Sequence, residues 1–177
     1  MVELILGGTR SGKSALAEQR ASESGLGVIY VATGQPGDVE MAARIAHHRA
    51  RRPEEWACAE EPLCLAAALK AHAMPSRCVI VDCLTLWLTN ILLADCFEKE
   101  MPAFLDVLPR LPGRVLLVSN EVGCGIVPVN ELARRFADEQ GRLNQRVATL
   151  CGRVTLVAAG LPLELKQAAP SPGHARC

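Results

Sequence analysis

Gly7-Gly8-Thr9-Arg10-Ser11-Gly12-Lys13-Ser14 satisfies G-x-x-x-x-G-K-[ST], the spacing of a loop that holds nucleotide phosphates. Glycines let backbone N–H groups curl around phosphate oxygens, and the helix that follows aims its positive dipole end at them. Lys13 is expected to reach the β- and γ-phosphates, and the Ser14 hydroxyl to ligate Mg2+. Asp82 directly follows the apolar run Cys78–Val81, a placement that suits a second Mg2+-handling carboxylate. By itself an aspartate there is more often a turn or helix cap, but the loop upstream favours the metal.

Residues 38–52 read DVEMAARIAHHRARR. At about 100° per residue, Val39, Ala42, Ala43, Ala46 and Ala50 form one narrow apolar face. His48 lies diametrically opposite, flanked by Arg44, Arg51 and Arg52, and His47 sits near the border. One reading is a solvated basic face with incidental histidines. The other is an anion-binding face on which His48 serves as acid, base or nucleophile. Crowding by arginines favours neutral imidazole, the nucleophilic form. Further on, WACAEEP carries Glu60 and Glu61. On a surface such a pair is unremarkable, whereas a buried glutamate could accept hydrogen bonds from guanine N1 and N2 or from ribose hydroxyls. Residue type alone does not choose.

The elements that must position these groups alternate. Val2–Leu6, Val28–Ala32, Cys78–Val81, Val115–Val118 and Val154–Ala158 are short apolar runs, expected as buried parallel strands. Helical patterns cover residues 13–24, 84–94 and, more weakly, 98–108. Another, begun by a Pro36-Gly37-Asp38 turn, runs to about Arg51 and is stopped by Pro53. Leu132, Phe136, Leu143, Val147 and Leu150 mark a long amphipathic helix from Asn130. The alternation predicts an α/β fold, a mostly parallel sheet with helices on both faces. Residues 1–166 are expected to form one nucleotide-binding catalytic domain, and 167–177 a flexible tail rich in Ala, Pro and Gly.

Composition removes several classes of function. The 177 residues hold 19 basic and 19 acidic side chains, so no charge excess argues for a nucleic-acid partner. Aromatics are only 3%, too few for base-stacking platforms, so the core must be aliphatic. The apolar runs stop well short of the roughly 20 residues of a membrane span. MVELILGG lacks the basic start of a signal peptide. Eight cysteines form no C-x-x-C and no Cys/His cluster. Reduced thiols in a cytoplasmic protein are therefore expected.

GGTRSGKS, YVATGQ, EMAARIAHHRARRPEEW, AEEP, VDCLTLWLTN, SNEVGCGIVP and LARRFADEQGRLNQ occur in that order. With them the chain resembles the bifunctional adenosylcobinamide kinase/adenosylcobinamide-phosphate guanylyltransferases of cobalamin biosynthesis, over essentially residues 2–166. HHRxxRPxxW and SNEVGxGIVP carry the resemblance more specifically than the phosphate loop, which unrelated P-loop NTPases share. The resemblance implies two reactions. In one, ATP or GTP phosphorylates the hydroxyl of the aminopropanol arm of adenosylcobinamide. In the other, a histidine attacks the α-phosphate of GTP, expels pyrophosphate and passes GMP to adenosylcobinamide phosphate, giving adenosylcobinamide-GDP. The guanylylated histidine of the family motif falls on His48. The family's nucleotide contacts fall on Gly7–Ser14 (Gly7, Gly8, Thr9, Arg10, Ser11, Gly12, Lys13, Ser14), on Ala32, Thr33 and Gly34, on Arg49, Ala50, Arg51 and Arg52, and on Glu60 and Asp82. A homotrimeric or homohexameric ring is implied as well.

Two rival readings remain open to experiment. One is another P-loop kinase of a small metabolite, whose His/Arg helix only binds anionic substrate. The other is a nucleotide-binding switch with no substrate chemistry, recognisable by slow nucleotide turnover.

Overall fold

Alternate residues of the first strand already divide the molecule into its layers. Val2, Leu4 and Leu6 enter one hydrophobic core, while Ile5 enters a second on the opposite face. The computed structural model describes residues 1–35, Gly37 and 53–167. Its strands are β1 (Val2–Gly7), β2 (Gly27–Ala32), β3 (Ala57–Glu60), β4 (Arg77–Asp82), β5 (Arg114–Asn120), β6 (Arg153–Ala158) and β7 (Leu161–Lys166). They form one seven-stranded sheet in the order β3-β2-β4-β5-β1-β6-β7. Every pairing is parallel except β6 with β7. Helices cover both faces, so the central strands are mostly apolar rather than alternating, with Glu3 of β1 a buried charged exception.

The described helices are α1 (Lys13–Ser22), α2 (Leu65–His72), α3 (Leu84–Leu93), α4 (Phe97–Val107) and α5 (Glu131–Leu150). The larger core joins α2, α3, α4 and α5 to one face of the sheet, with Trp87 and Phe104 in tilted contact at 4.7 Å between ring centroids. On the other face Ala17 and Ala21 of α1 lie against Ile5, Tyr30, Ile80, Leu116 and Val118. Small alanines on this side let α1 approach the sheet closely. Asn130 caps α5, its side chain accepting from the Ala133 N–H at 3.1 Å.

The five expected strands and the helices at 13–24, 84–94 and 98–108 are present, with ends displaced by a residue or two. Three elements were not foreseen. β3 is a short exposed edge strand held by pairing with β2, and α2 follows it after a turn. β7 turns back on β6 through Ala159 and Gly160, both with positive φ, as a two-residue hairpin of this type requires. The helix expected at 38–51, with Pro36 and Asp38 of its turn, lies outside the described residues, as does the tail from 168 on. Among the described residues no helix is long and apolar enough to cross a membrane. Cys78, Cys83 and Cys151 are buried free thiols, and Cys64 and Cys124 are exposed free thiols.

Candidate active site

β1 ends at Gly7 between β5 and β6, and the chain then turns through Gly8–Gly12 into α1. The two motif glycines are fixed by geometry. A Cβ on Gly7 would lie 2.6 Å from the Val157 carbonyl oxygen and collide with the Ser11 hydroxyl. Gly12 has φ of 99°, a left-handed conformation that disfavours side chains, and sits against Gly160. The β6–β7 hairpin clamps the loop, since the Gly160 N–H donates to the Ser11 carbonyl at 2.8 Å. Within the loop the Ser11 N–H donates to the Gly8 carbonyl at 3.2 Å.

The start of α1 is open to an anion. Its first intrahelical bond runs from the Leu16 N–H to the Gly12 carbonyl, leaving the preceding amides without helical acceptors. No side chain caps this end. Gly8, Thr9 and Arg10 are exposed, and Lys13 and Ser14 are half-buried. The Lys13 ammonium donates to the Gly8 carbonyl at 3.1 Å, so the cation lies over the loop. Ser11 is buried, and its hydroxyl has no partner among the described residues.

Asp82 ends β4, one strand beyond β5, at the same edge of the sheet. Tyr30 donates its hydroxyl to Asp82 Oδ2 at 2.6 Å, which orients the carboxylate. Nothing in the sequence flagged Tyr30, because its contact depends on β2 pairing with β4. Burial, and then the neighbouring Asp82 charge, push the Cys83 thiol up to about 11, while Lys13 pulls it down. Cys83 is thus an inert thiol, and Lys13 acts on the Asp82–Cys83 corner from across the edge.

Ala32 and Thr33 belong to the same edge. The Thr33 hydroxyl donates to the Cys83 carbonyl at 2.7 Å and accepts from the Cys83 N–H at 2.9 Å. Its own N–H donates to the Asp82 carbonyl, and its carbonyl accepts from Asn90. Thr33 therefore locks the end of β2 to that of β4. Gly34 follows, half-buried. The two glutamates separate cleanly. Glu61 caps the turn before α2, accepting from the Leu63 and Cys64 N–H groups, whereas Glu60 is exposed at the end of β3 beside Ala32. Glu60 is not the buried acceptor that guanine recognition by a glutamate would favour. His48, Arg49, Ala50, Arg51 and Arg52 lie outside the described residues. Among those described, no cluster of three or more His, Cys, Asp or Glu could hold a metal.

A phosphate loop after β1 and a carboxylate at the end of β4 are shared by many NTPases, so likeness to known proteins must narrow the chemistry. The model of the family "cobinamide kinase / cobinamide phosphate guanyltransferase" matches residues 3–165. The chain belongs to this family. A bifunctional adenosylcobalamin biosynthesis protein of Pseudomonas aeruginosa, CobP, is 59% identical over 169 residues, 94% of this chain and 98% of that protein. The Escherichia coli counterpart, CobU, is 38% identical over 94% of this chain and all of its own length. Among solved structures, the RadB recombinase matches with a TM-score of 0.51 at 20% identity, covering 88% of this chain and 73% of that one. That likeness concerns the P-loop NTPase fold alone. This cobinamide kinase/guanyltransferase is accordingly an enzyme of both a phosphotransferase and a nucleotidyltransferase kind.

Proposed function

We propose that the enzyme phosphorylates adenosylcobinamide with ATP or GTP, then guanylylates the product through His48. The observation that carries this reading is the Gly7–Ser14 loop, clamped by Gly160 and opening onto an uncapped helix start beside Lys13. Phosphate oxygens in that cradle would accept from the free amides of α1 and from the orphaned Ser11 hydroxyl. In the kinase step the hydroxyl of the aminopropanol arm attacks the γ-phosphorus, and the nucleoside diphosphate leaves. Lys13 stabilises the charge on the moving phosphoryl group.

Ser14 and Asp82 supply one hydroxyl and one carboxylate at the same edge, a hard and sparse donor set that suits Mg2+ shared with phosphate oxygens. Mg2+ bound there would neutralise charge on the transferring and leaving phosphates. The protein's part is to hold these donors still, through Tyr30 on Asp82 and Thr33 on the Asp82–Cys83 corner. Gly34 and Glu60 border the same edge and are proposed to contact the nucleoside. Arg49, Ala50, Arg51 and Arg52 would contact its phosphates.

For the second transfer, an imidazole nitrogen of His48 attacks the α-phosphorus of GTP and pyrophosphate departs. The resulting phosphoramidate is cleaved by a phosphate oxygen of adenosylcobinamide phosphate, which regenerates the histidine and gives adenosylcobinamide-GDP. After incubation with GTP, intact mass should show one added GMP, stable to alkali and labile to acid. His48→Asn should abolish the adduct and leave part of the kinase activity, and His47→Asn should keep the adduct. An adduct that persists in both variants would reduce the histidine helix to a binding face.

A further inference from the structure

We propose that Asn120 is a catalytic residue of the kinase step, its carboxamide donating to the γ-phosphoryl group in transfer. This rests on the reading that the Gly7–Ser14 loop holds the donor nucleotide. The residue lies in SNEVGCGIVP, a segment to which none of the roles above was given.

Register places it first. Asn120 is the partner of Gly7, the residue from which the phosphate loop departs. On its other side β5 pairs with β4, where Asp82 lies opposite Val118. Asn120 thus stands between loop and carboxylate, two residues further toward the open edge than Asp82. Neighbouring strands are about 4.8 Å apart, so all three fall within the span of a nucleotide's phosphates.

The face is settled by alternation. Leu116 and Val118 pack with Ile5, Ala17 and Ala21 on the α1 side. Ser119 points the other way, donating to Asn144 Oδ1 of α5 at 2.7 Å. Asn120 therefore shares the side of α1, Tyr30 and Asp82, where the loop curls over the sheet.

Its backbone is fixed from both sides. The Asn120 N–H donates to Thr85 Oγ1 at 2.8 Å, and its carbonyl accepts from Asn144 Nδ2 at 3.0 Å. The next N–H, of Glu121, donates to the Gly7 carbonyl at 3.1 Å and ties this strand end to the loop. The buried Gln140 braces the same group, donating to Ser119 Oγ and Asn144 Oδ1. Among the described residues the Asn120 carboxamide has no hydrogen-bond partner of its own. A neutral donor, held by so many bonds and left free, is preorganised for an oxygen on which charge develops.

The test is kinase kinetics and nucleotide binding for Asn120→Ala, Asn120→Asp and Lys13→Ala. Asn120→Ala should lower kcat about a hundredfold to a thousandfold, with nucleotide Kd and thermal midpoint near those of the parent. Asn120→Asp keeps the shape but sets a carboxylate against phosphate, so it should fall at least as far. A purely structural asparagine predicts the opposite, near-parental kcat in the isosteric Asp variant, and that result would overturn the proposal. So would a rise in KM or Kd at unchanged kcat. Loss of turnover in Lys13→Ala with normal turnover in both Asn120 variants would remove the Asn120 role alone. Normal turnover in Lys13→Ala would remove the loop's role as donor site and this proposal with it.

Discussion

Asp82 illustrates how one side chain's chemistry depends on what holds it. Tyr30 occupies Oδ2, which sets the carboxylate's orientation and leaves Oδ1 as the other oxygen. If that oxygen meets Mg2+, Asp82→Asn should raise the Mg2+ concentration for half-maximal activity about tenfold or more. The fold should survive, because an amide oxygen can still accept from Tyr30. A titration with unchanged Mg2+ dependence would leave Asp82 as a corner residue only. Thr33 presents the converse case. Its N–H, hydroxyl and carbonyl are all engaged by Asp82, Cys83 and Asn90, so it positions the corner while Gly34 beyond it remains available to nucleotide.

α1 must be held at both ends for the loop at its start to keep its shape, and its far end is anchored by charge. Arg20 is buried and bonds Glu3 of β1, and at 2.7 Å Glu164 of β7. Arg153 joins Glu164 at 2.8 Å, and Thr155 donates to the same carboxylate. Breaking one partner of such a set leaves an uncompensated charge, so the ion pairs tie β1, α1 and the β6–β7 hairpin together. Arg153, then Arg20 and Thr155, hold Glu164 well below its ordinary 4.5, at about 2, against the opposing effect of burial. A depressed folded pKa means that this stabilisation is complete above about pH 5 and is lost as pH falls from 4.5 toward 2. Chemical denaturation across that window should show the gap between parent and Glu164→Gln narrowing as acid is added. A gap that stays constant would mean Glu164 does not titrate with the fold.

One sheet runs unbroken from β3 to β7, and both cores lie against it, so no plane divides the described residues into independent parts. Unfolding is therefore expected as one transition, with near-UV and far-UV circular dichroism coinciding. If nucleotide sits on the Gly7–Ser14 loop as proposed, it binds only the assembled edge, where β1, β2, β4 and β5 meet. GTP with Mg2+ at a hundred times its Kd should add about 2.7 kcal/mol. For a chain of this size that corresponds to a rise of about 5–11 °C in Tm. Two separated transitions, only one of them moved by GTP, would show that the sheet is not a single cooperative body.

The phosphate loop was legible residue by residue, and the five core strands and four of the five described helices to within a residue or two at their ends. Their causes are local: glycine's conformational freedom, apolar runs too short to be long helices, and the 3.6-residue period of α5. Order in the sheet was not legible, because strand pairing joins segments far apart in the chain and leaves no local mark. That order brings Tyr30 to Asp82, Gly160 to Ser11 and Asn120 to Gly7. β3 and β7 escaped notice for a related reason. ACAE is too short and too weakly apolar to read as a strand, and it exists because β2 offers it an edge. LPLELK alternates, but its turn is Ala-Gly rather than the stronger Asn-Gly, and its glutamate is charged yet partly buried. Only the buried Arg20 of α1 and the half-buried Arg153 of β6, supplied by the tertiary structure, make Glu164 at home there.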